Sequence, residues 1–436
     1  MYSRRCLFAL LPAATLIACA TAHRPQTSSI SVIPLKSSGI YAEGEDTGWT
    51  ISASTPSTTT KFSYSLKENN AVELKSGNLD LSAGPAKIEI KLDHAAMLFL
   101  QITPEGSKRG MAYGAAIAPT KLRPVVERPR DFDAFWKSKI AMLEAIPENP
   151  VLTPGQSDRP DVDYGTVQMD HINGAHVYGQ WAKPTKPGKY PAVLMLQWAS
   201  PPYPLQKPWV TNLAAQGWLA LDIEPHNVLP TEPQSYYDGL PKELRSYQSI
   251  GQDDRDKSYF LQMYLADYRA VDYLTHRPDW DGKTLLVMGT SMGGQQTFAV
   301  CGLHPKVTHL IVEVPAGCDL NAGLHGRQEG YPFFPTNDPK VMETARYFDA
   351  VNFAPHIHAT SLVSMGFVDT VAPPTGIWTV YNLIKGKKEV APMVDAPHNN
   401  LATREQQLPY TTRMEAWMNA LVKGEKAPVL PNQGLP

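Results

Sequence analysis

Residues 284–297, TLLVMGTSMGGQQT, decide how the rest of the chain is read. Residues 284–288 form a short apolar run of the strand type. Gly289-Thr290-Ser291-Met292-Gly293 then makes a tight turn, and small residues open a helix. Strand, G-x-S-x-G turn and helix together are the nucleophile-elbow pattern, which leaves a serine hydroxyl exposed at the tip of a strained turn. Without a Cβ at Gly289 and Gly293, strand and helix can pack closely around Ser291. A bare G-x-S-x-G also arises as an ordinary glycine turn. The flanking strand and helix patterns favour Ser291 as a nucleophile.

Outward from this turn, apolar runs and helical patterns alternate. Residues 191–196 and 218–223 read as buried strands separated by a helix near 210–216. The longest helical pattern, 259–276, carries Phe260, Met263, Tyr264, Val271 and Leu274 on one face. Strands follow at 307–314, 361–367 and 389–394. Upstream, Asp131 is placed to cap a helix running to Ala145, with Phe132, Phe135, Trp136 and Ile140 as its apolar stripe. Alternating runs at 167–172 and 175–181 flank Asn173-Gly174, the preferred type I′ hairpin pair. Such alternation predicts an α/β chain, a mostly parallel sheet with helices on both faces, over residues 120–430.

The region before it differs. Residues 30–119 hold short period-two runs at 49–53, 62–66, 87–92 and 98–102, separated by Gly, Ser and Asn. This predicts a small immunoglobulin-like β-sandwich, either a spacer packed on the larger domain or a sugar-binding module. The 436-residue length suits two such domains. A formal charge of −2 and the lack of a basic stripe argue against a nucleic-acid partner. The 39 prolines point to many fixed turns rather than to disorder.

Residues 1–18 read as a signal peptide, with Arg4 and Arg5 ahead of an apolar run over 7–18 that is short for a bilayer span. Its end, Leu16-Ile17-Ala18-Cys19, resembles a bacterial lipobox, which implies lipidation at Cys19. A plain secretory cut near Ala20 or Ala22 is the alternative, and Ser3-Arg4-Arg5 loosely resembles a twin-arginine signal. Each version exports the protein. The lipobox version gives a membrane partner, residues 19–29 as a tether, and a place in the bacterial cell envelope, at the outer membrane or in the periplasm. Cys301 and Cys318 then remain, to pair in an oxidising compartment or to stay free. No His/Cys cluster suggests a metal, and no cofactor motif is found.

A serine hydroxyl needs a base, usually a histidine oriented by a carboxylate. Where a G-x-S-x-G elbow belongs to the α/β-hydrolase fold, the order is Ser, then Asp or Glu, then His. Asp369 follows the strand at 361–367 and His398 follows the last strand, so both fall on the rim where sites form in parallel sheets. Asp395 is the chief rival acid, too close in sequence to His398, and Asp319 is a weaker one. His304, His309, His325, His356 and His358 read as structural or surface residues. The amide of Met292 should form one half of an oxyanion hole. Ala199, in Gln197-Trp198-Ala199-Ser200, should form the other. Trp198, Tyr203 and Tyr236, with Trp209 and Tyr237, lie on rim-side loops and could stack on sugar rings or simply pack.

The chain resembles the acetyl xylan esterase and cephalosporin C deacetylase family, carbohydrate esterase family seven, in its exported bacterial branch with an added N-terminal β domain. The resemblance rests on residues 128–136 (RPRDFDAFW), the elbow Gly289–Gly294, residues 366–374 (GFVDTVAPP) and residues 381–389 (YNLIKGKKE). It implies Ser291, His398 and Asp369 as triad, and an acetylated oligosaccharide or polysaccharide as substrate. The family's Arg-Gly-Gln motif is absent, its His-Gly-Tyr loop reads Gln197-Trp198-Ala199, and its glutamate after the histidine is Asn399. These changes bear on substrate pocket and assembly, so an oligomer stays open. Alternatives are a glucuronoyl or feruloyl esterase, a peptidase, or a surface glycan-binding lipoprotein.

Overall fold

A computed structural model describes residues 30–54, 59–431 and 435. The signal peptide, Cys19 and the tether lie outside the described residues.

The first eight strands make two sheets. β1 (Ile30–Pro34), β3 (Thr47–Ala53) and β6 (Ala86–Ile90) form one, in the order β1-β3-β6. β2 (Ile40–Tyr41), β4 (Lys61–Glu68), β5 (Val72–Asp80), β7 (Ala96–Pro104) and β8 (Met111–Ile117) form the other, in the order β2-β8-β7-β4-β5. The first edge of the chain is split between sheets. β1 pairs antiparallel with β3, while β2 crosses over to run parallel to β8. This is an immunoglobulin-like arrangement, as the alternating runs predicted. The inward residues Trp49, Ile51, Phe62, Leu66, Leu98, Leu100 and Ile117 close a core between the sheets.

The second region is built on one nine-stranded sheet. β9 (Val151–Gly155), β10 (Val162–Asp170) and β11 (His176–Pro184) form an antiparallel edge. β12 (Tyr190–Leu196), β13 (Leu219–Ile223), β14 (Trp280–Thr290), β15 (His309–Glu313), β16 (Thr360–Gly366) and β17 (Lys388–Met393) complete it. The order is β17-β16-β15-β14-β12-β13-β11-β10-β9, and neighbours from β13 to β17 are parallel. Alternation inside the buried strands assigns each face. Leu194, Leu285, Val287, Leu310 and Val312 join the core under helices Tyr259–His276, Met292–Leu303 and Pro374–Leu383. Val193, Leu286, Ile311 and Leu362 face Lys207–Gln216 and Arg404–Leu421. Since successive side chains point to opposite faces, an uninterrupted apolar run is what a strand covered on both sides requires.

The Asn173-Gly174 turn forms as predicted, with φ of 57° and 71°, and the Ala175 amide donates to the Ile172 carbonyl at 3.1 Å. The helix at Asp131 runs from Phe132 to Glu144, but the Asp131 side chain does not cap it. Its carboxylate instead accepts from Tyr347 Oη and Arg255 Nη1, the guanidinium adding a charge attraction that a neutral backbone amide lacks. β9 went unpredicted because all five of its residues are exposed, so it has no inward face to leave a period.

The sandwich docks where the parallel strands end. A Cβ on Gly114 of β8 would lie 2.5 Å from the Phe367 Cβ. Ile40, Met97 and Ala116 are continuous with the larger domain's core.

Candidate active site

β12 is flanked by β14 on one side and β13 on the other, so the chain reverses its winding direction there. Loops leaving the carboxyl ends of β12 and β14 therefore diverge around a crevice. Ser291 sits at the end of β14 with φ 57° and ψ −119°. Such a conformation costs about 1–3 kcal/mol for a non-glycine residue and persists only where its surroundings over-determine it. Here the Ser291 amide donates to the Glu313 carbonyl at 2.9 Å, and the Ala316 amide donates to the Ser291 carbonyl at 2.9 Å. The glycines are sterically required. A Cβ on Gly289 would sit 2.3 Å from the Gly293 carbonyl carbon.

His398 Nε2 lies 3.0 Å from Ser291 Oγ, and His398 Nδ1 lies 2.7 Å from Asp369 Oδ2. The carboxylate can only accept, so Nδ1 carries the proton and Nε2 is left to accept from the serine hydroxyl. All three side chains are buried. Asp369 Oδ1 is occupied by its own loop, accepting from the Val371 and Ala372 amides at 2.8 Å each. One oxygen thus anchors the carboxylate and the other orients the ring. Neither rival acid reaches His398. Asp319 pairs with Arg327 at 2.6 Å, and Asp395 is exposed, with its backbone carbonyl accepting from Gln406. Among the other histidines, His304 binds Asp272, His309 takes the Thr308 hydroxyl, and His356 lies beside Asp133 and Arg128.

Met292 opens the elbow helix, where the first amides have no intrahelical acceptor. The loop carrying Ala199 is pinned beside it. Gln296 Nε2 donates to the Gln197 carbonyl at 3.1 Å, and Gln197 Nε2 donates to Asp222 Oδ1 at 2.5 Å. Asp222 also accepts from Gln180 and is fully buried. Desolvation pushes its pKa up to about 7. The far end of the loop is held by His226, whose Nε2 meets the Ser200 carbonyl at 2.8 Å while Nδ1 meets Tyr259 Oη at 2.9 Å. A carbonyl cannot donate, so Nε2 bears the proton; burial lowers this imidazole to about 4 and keeps it neutral.

Trp198, Tyr203 and Trp209 come together. Trp198 stacks on Tyr203 at 5.6 Å between centroids and meets Trp209 edge-on at 5.3 Å. Tyr203 Oη is directed inward to Gln197 Oε1 at 2.9 Å. Tyr236 stands apart on a short helix, Gln234–Asp238, with its ring edge on Tyr237.

Sequence reasoning missed four residues here. Glu313, at the end of β15, is buried and accepts from Thr290 Oγ1 at 2.9 Å; burial raises its pKa. Its position at a strand carboxyl end next to the elbow was the available signal. Tyr247 and Tyr331 share a 2.5 Å hydroxyl contact over Met292, and His226 packs on Tyr247 at 4.7 Å. They come from segments without periodicity, so nothing in the sequence brought them together. Cys301 and Cys318 are both free.

An elbow serine, a strand-end acid and a strand-end histidine on a parallel sheet define a serine hydrolase of the α/β-hydrolase fold. The chain belongs to the acetyl xylan esterase (AXE1) family, whose model matches residues 120–414, and it is a carboxylic-ester hydrolase. It is 31% identical over 338 residues to acetyl esterase Axe7A of Xylanibacter ruminicola, covering 76% of this chain and 77% of that one. Two solved structures share the fold. An acetyl xylan esterase from Paenibacillus sp. R4 aligns with a TM-score of 0.59 at 23% identity, over 71% of this chain and 98% of that one. Acetyl xylan esterase 1 from Thermoanaerobacterium sp. JW/SL YS485 aligns with a TM-score of 0.57 at 20% identity, over 70% and 97%.

Proposed function

We propose that this protein removes acetyl groups from acetylated xylan or related oligosaccharides through an acyl-enzyme, with Ser291 as nucleophile, His398 as base and Asp369 as its orienter. The observation that carries the catalytic part is the unbroken chain from Ser291 Oγ through His398 to Asp369, at 3.0 and 2.7 Å. Family membership and the relative's name, acetyl esterase, support the acetyl group.

Ser291 Oγ attacks the ester carbonyl carbon as its proton passes to His398 Nε2. The resulting oxyanion is held by the amides of Met292 and Ala199, a type of contact worth about a hundred- to a thousandfold in turnover per donor. As the carbon–oxygen bond to the sugar breaks, His398 returns the proton to the departing alkoxide. Water, deprotonated by His398, then attacks the acetyl-serine, and acetate leaves as Ser291 regains its proton. In this reading Trp198, with Tyr203 stacked beside it, is the platform for a sugar ring, while Tyr236 packs apart on Tyr237. The leader residues Arg4, Arg5 and Cys19 support export and lipid anchoring in the bacterial cell envelope. A Cys19→Ala variant should move from the membrane fraction to the soluble one.

Acetate release from acetylated xylo-oligosaccharides, beside p-nitrophenyl esters of increasing chain length, tests the substrate. A preference for long acyl chains overturns the deacetylase reading. Ser291→Ala should lower turnover by about a millionfold. Near-normal turnover, or fluorophosphonate labelling elsewhere than Ser291, overturns the triad.

A further inference from the structure

The hairpin joining β4 to β5 turns at Asn69 and Asn70, both left-handed with φ of 49° and 50°. The turn closes through the Ala71 amide on the Glu68 carbonyl at 3.0 Å. Asn69 is fixed from behind, its Oδ1 accepting from the Met97 amide at 2.9 Å. The tip leaves its own domain and meets the segment 327–331 of the hydrolase domain.

We propose that this turn is a positioning element of the active site, holding the loop that carries Asp369 through Gln328. The inference rests on Asp369 being the residue that orients His398. Gln328 is clasped on both sides. Its amide donates to the Asn69 carbonyl at 3.0 Å, and its Oε1 accepts from Asn70 Nδ2 at 2.5 Å. Its Nε2 donates to the carbonyl of Thr370, the neighbour of Asp369, at 2.7 Å. The orientation of both side-chain amides follows by elimination. The Thr370 carbonyl can only accept, so Gln328 must turn its nitrogen there and its oxygen to Asn70, which must then present its own nitrogen.

Three residues on, the Tyr331 amide donates to the Val371 carbonyl at 2.8 Å. The Tyr331 hydroxyl reaches Tyr247 and the Met292 sulfur at 3.5 Å. The strap thus touches the acid loop at one end and the residue after the nucleophile at the other. The bonds from Asp369 to the Val371 and Ala372 amides fix the carboxylate within its loop. They do not fix the loop in the molecule. Gln328 and Tyr331 do that from one side, Gly114, close against Phe367, does it from below, and the Phe367 and Val368 amides bond to the Met393 and Ala396 carbonyls. The supports through Gln328 and Gly114 are held or made by the β domain.

The test uses the full chain with p-nitrophenyl acetate. Asn70→Gly keeps the left-handed turn and deletes only the side-chain amide. Gln328→Ala deletes the link itself. Each should lower kcat about three- to tenfold, the scale of one lost hydrogen bond expressed at the transition state, with KM within about twofold. Fluorophosphonate inactivation of Ser291 should slow by the same factor. The double variant should be no worse than Gln328→Ala, since Asn70 acts through Gln328. Asn149→Gly, another left-handed asparagine whose amide meets Asp170 at 2.8 Å, should leave kcat unchanged. The proposal is overturned by unchanged kcat in Asn70→Gly, by losses that multiply in the double variant, or by an equal loss in Asn149→Gly. Inactivity of Ser291→Ala beside an unaffected Asn70→Gly would sink the coupling and keep the triad. Activity of Ser291→Ala would sink both.

Discussion

Gly293 rests against Leu196 so closely that an added Cβ would lie 2.1 Å from the Leu196 carbonyl oxygen. Gly293 belongs to the elbow helix, and Leu196 is the residue before the loop that carries Ala199. The contact therefore sets the distance between the two amides assigned to the oxyanion hole. Gly293→Ala must push that loop and the helix apart. Turnover should fall by about a hundredfold or more, as for loss of one oxyanion donor. Overpacking of this kind also costs about 1–3 kcal/mol of stability. Steady-state kinetics with a melting curve would check both, and a fully active variant would show that the gap is not set there.

Asp369 and Asp395 differ in what they touch, which predicts a clean separation. Asp369→Asn should drop kcat by about ten-thousandfold, because an amide facing Nδ1 no longer selects the productive tautomer. Asp395→Asn removes no contact to His398 and should leave kcat within about twofold. Equal losses in the two variants would contradict the assignment of Asp369.

Asp222 carries a pH signature. Its folded pKa is raised to about 7 by burial, against about 3.9 in an unfolded chain. Between those values the folded state holds a proton that the unfolded state has released, so stability falls as pH rises from about 4 to about 7 and then levels. Glu224, raised to about 8 by burial, extends the same decline. Asp222→Asn removes its share, so urea unfolding at pH 5, 6, 7 and 8 should give a shallower fall than wild type. An identical slope would mean that Asp222 is already ionised in the folded protein.

How much of this was legible beforehand depended on whether a feature leaves a local trace. The buried parallel strands did, because burial on both faces demands apolar runs such as residues 191–196, and turn glycines bracketed Ser291. Asp369 and His398 could be found because strand ends constrain where a triad can close. The Asp131 carboxylate looked like a helix cap, yet a tyrosine and an arginine from more than a hundred residues away took it. β9 left no period because it buries nothing. Glu313, His226, Tyr247 and Tyr331 matter through contacts across the fold, and no spacing in the chain records those. The same is true of Asn70, whose partner lies 258 residues away.

That separation bears on the order in which the molecule is made. The chain emerges from its N-terminus, and domains generally fold as units in that order during synthesis. The sandwich and its Asn69–Asn70 turn thus come, in that order, before the residues they will grip. Ser291 and His398 are themselves 107 residues apart, and His398 follows the last strand of the sheet. A hydrolase domain that folds in chain order therefore has no working base until almost all of it has emerged. The part synthesised first waits as a finished template against which the acid loop, among the last parts to arrive, is set.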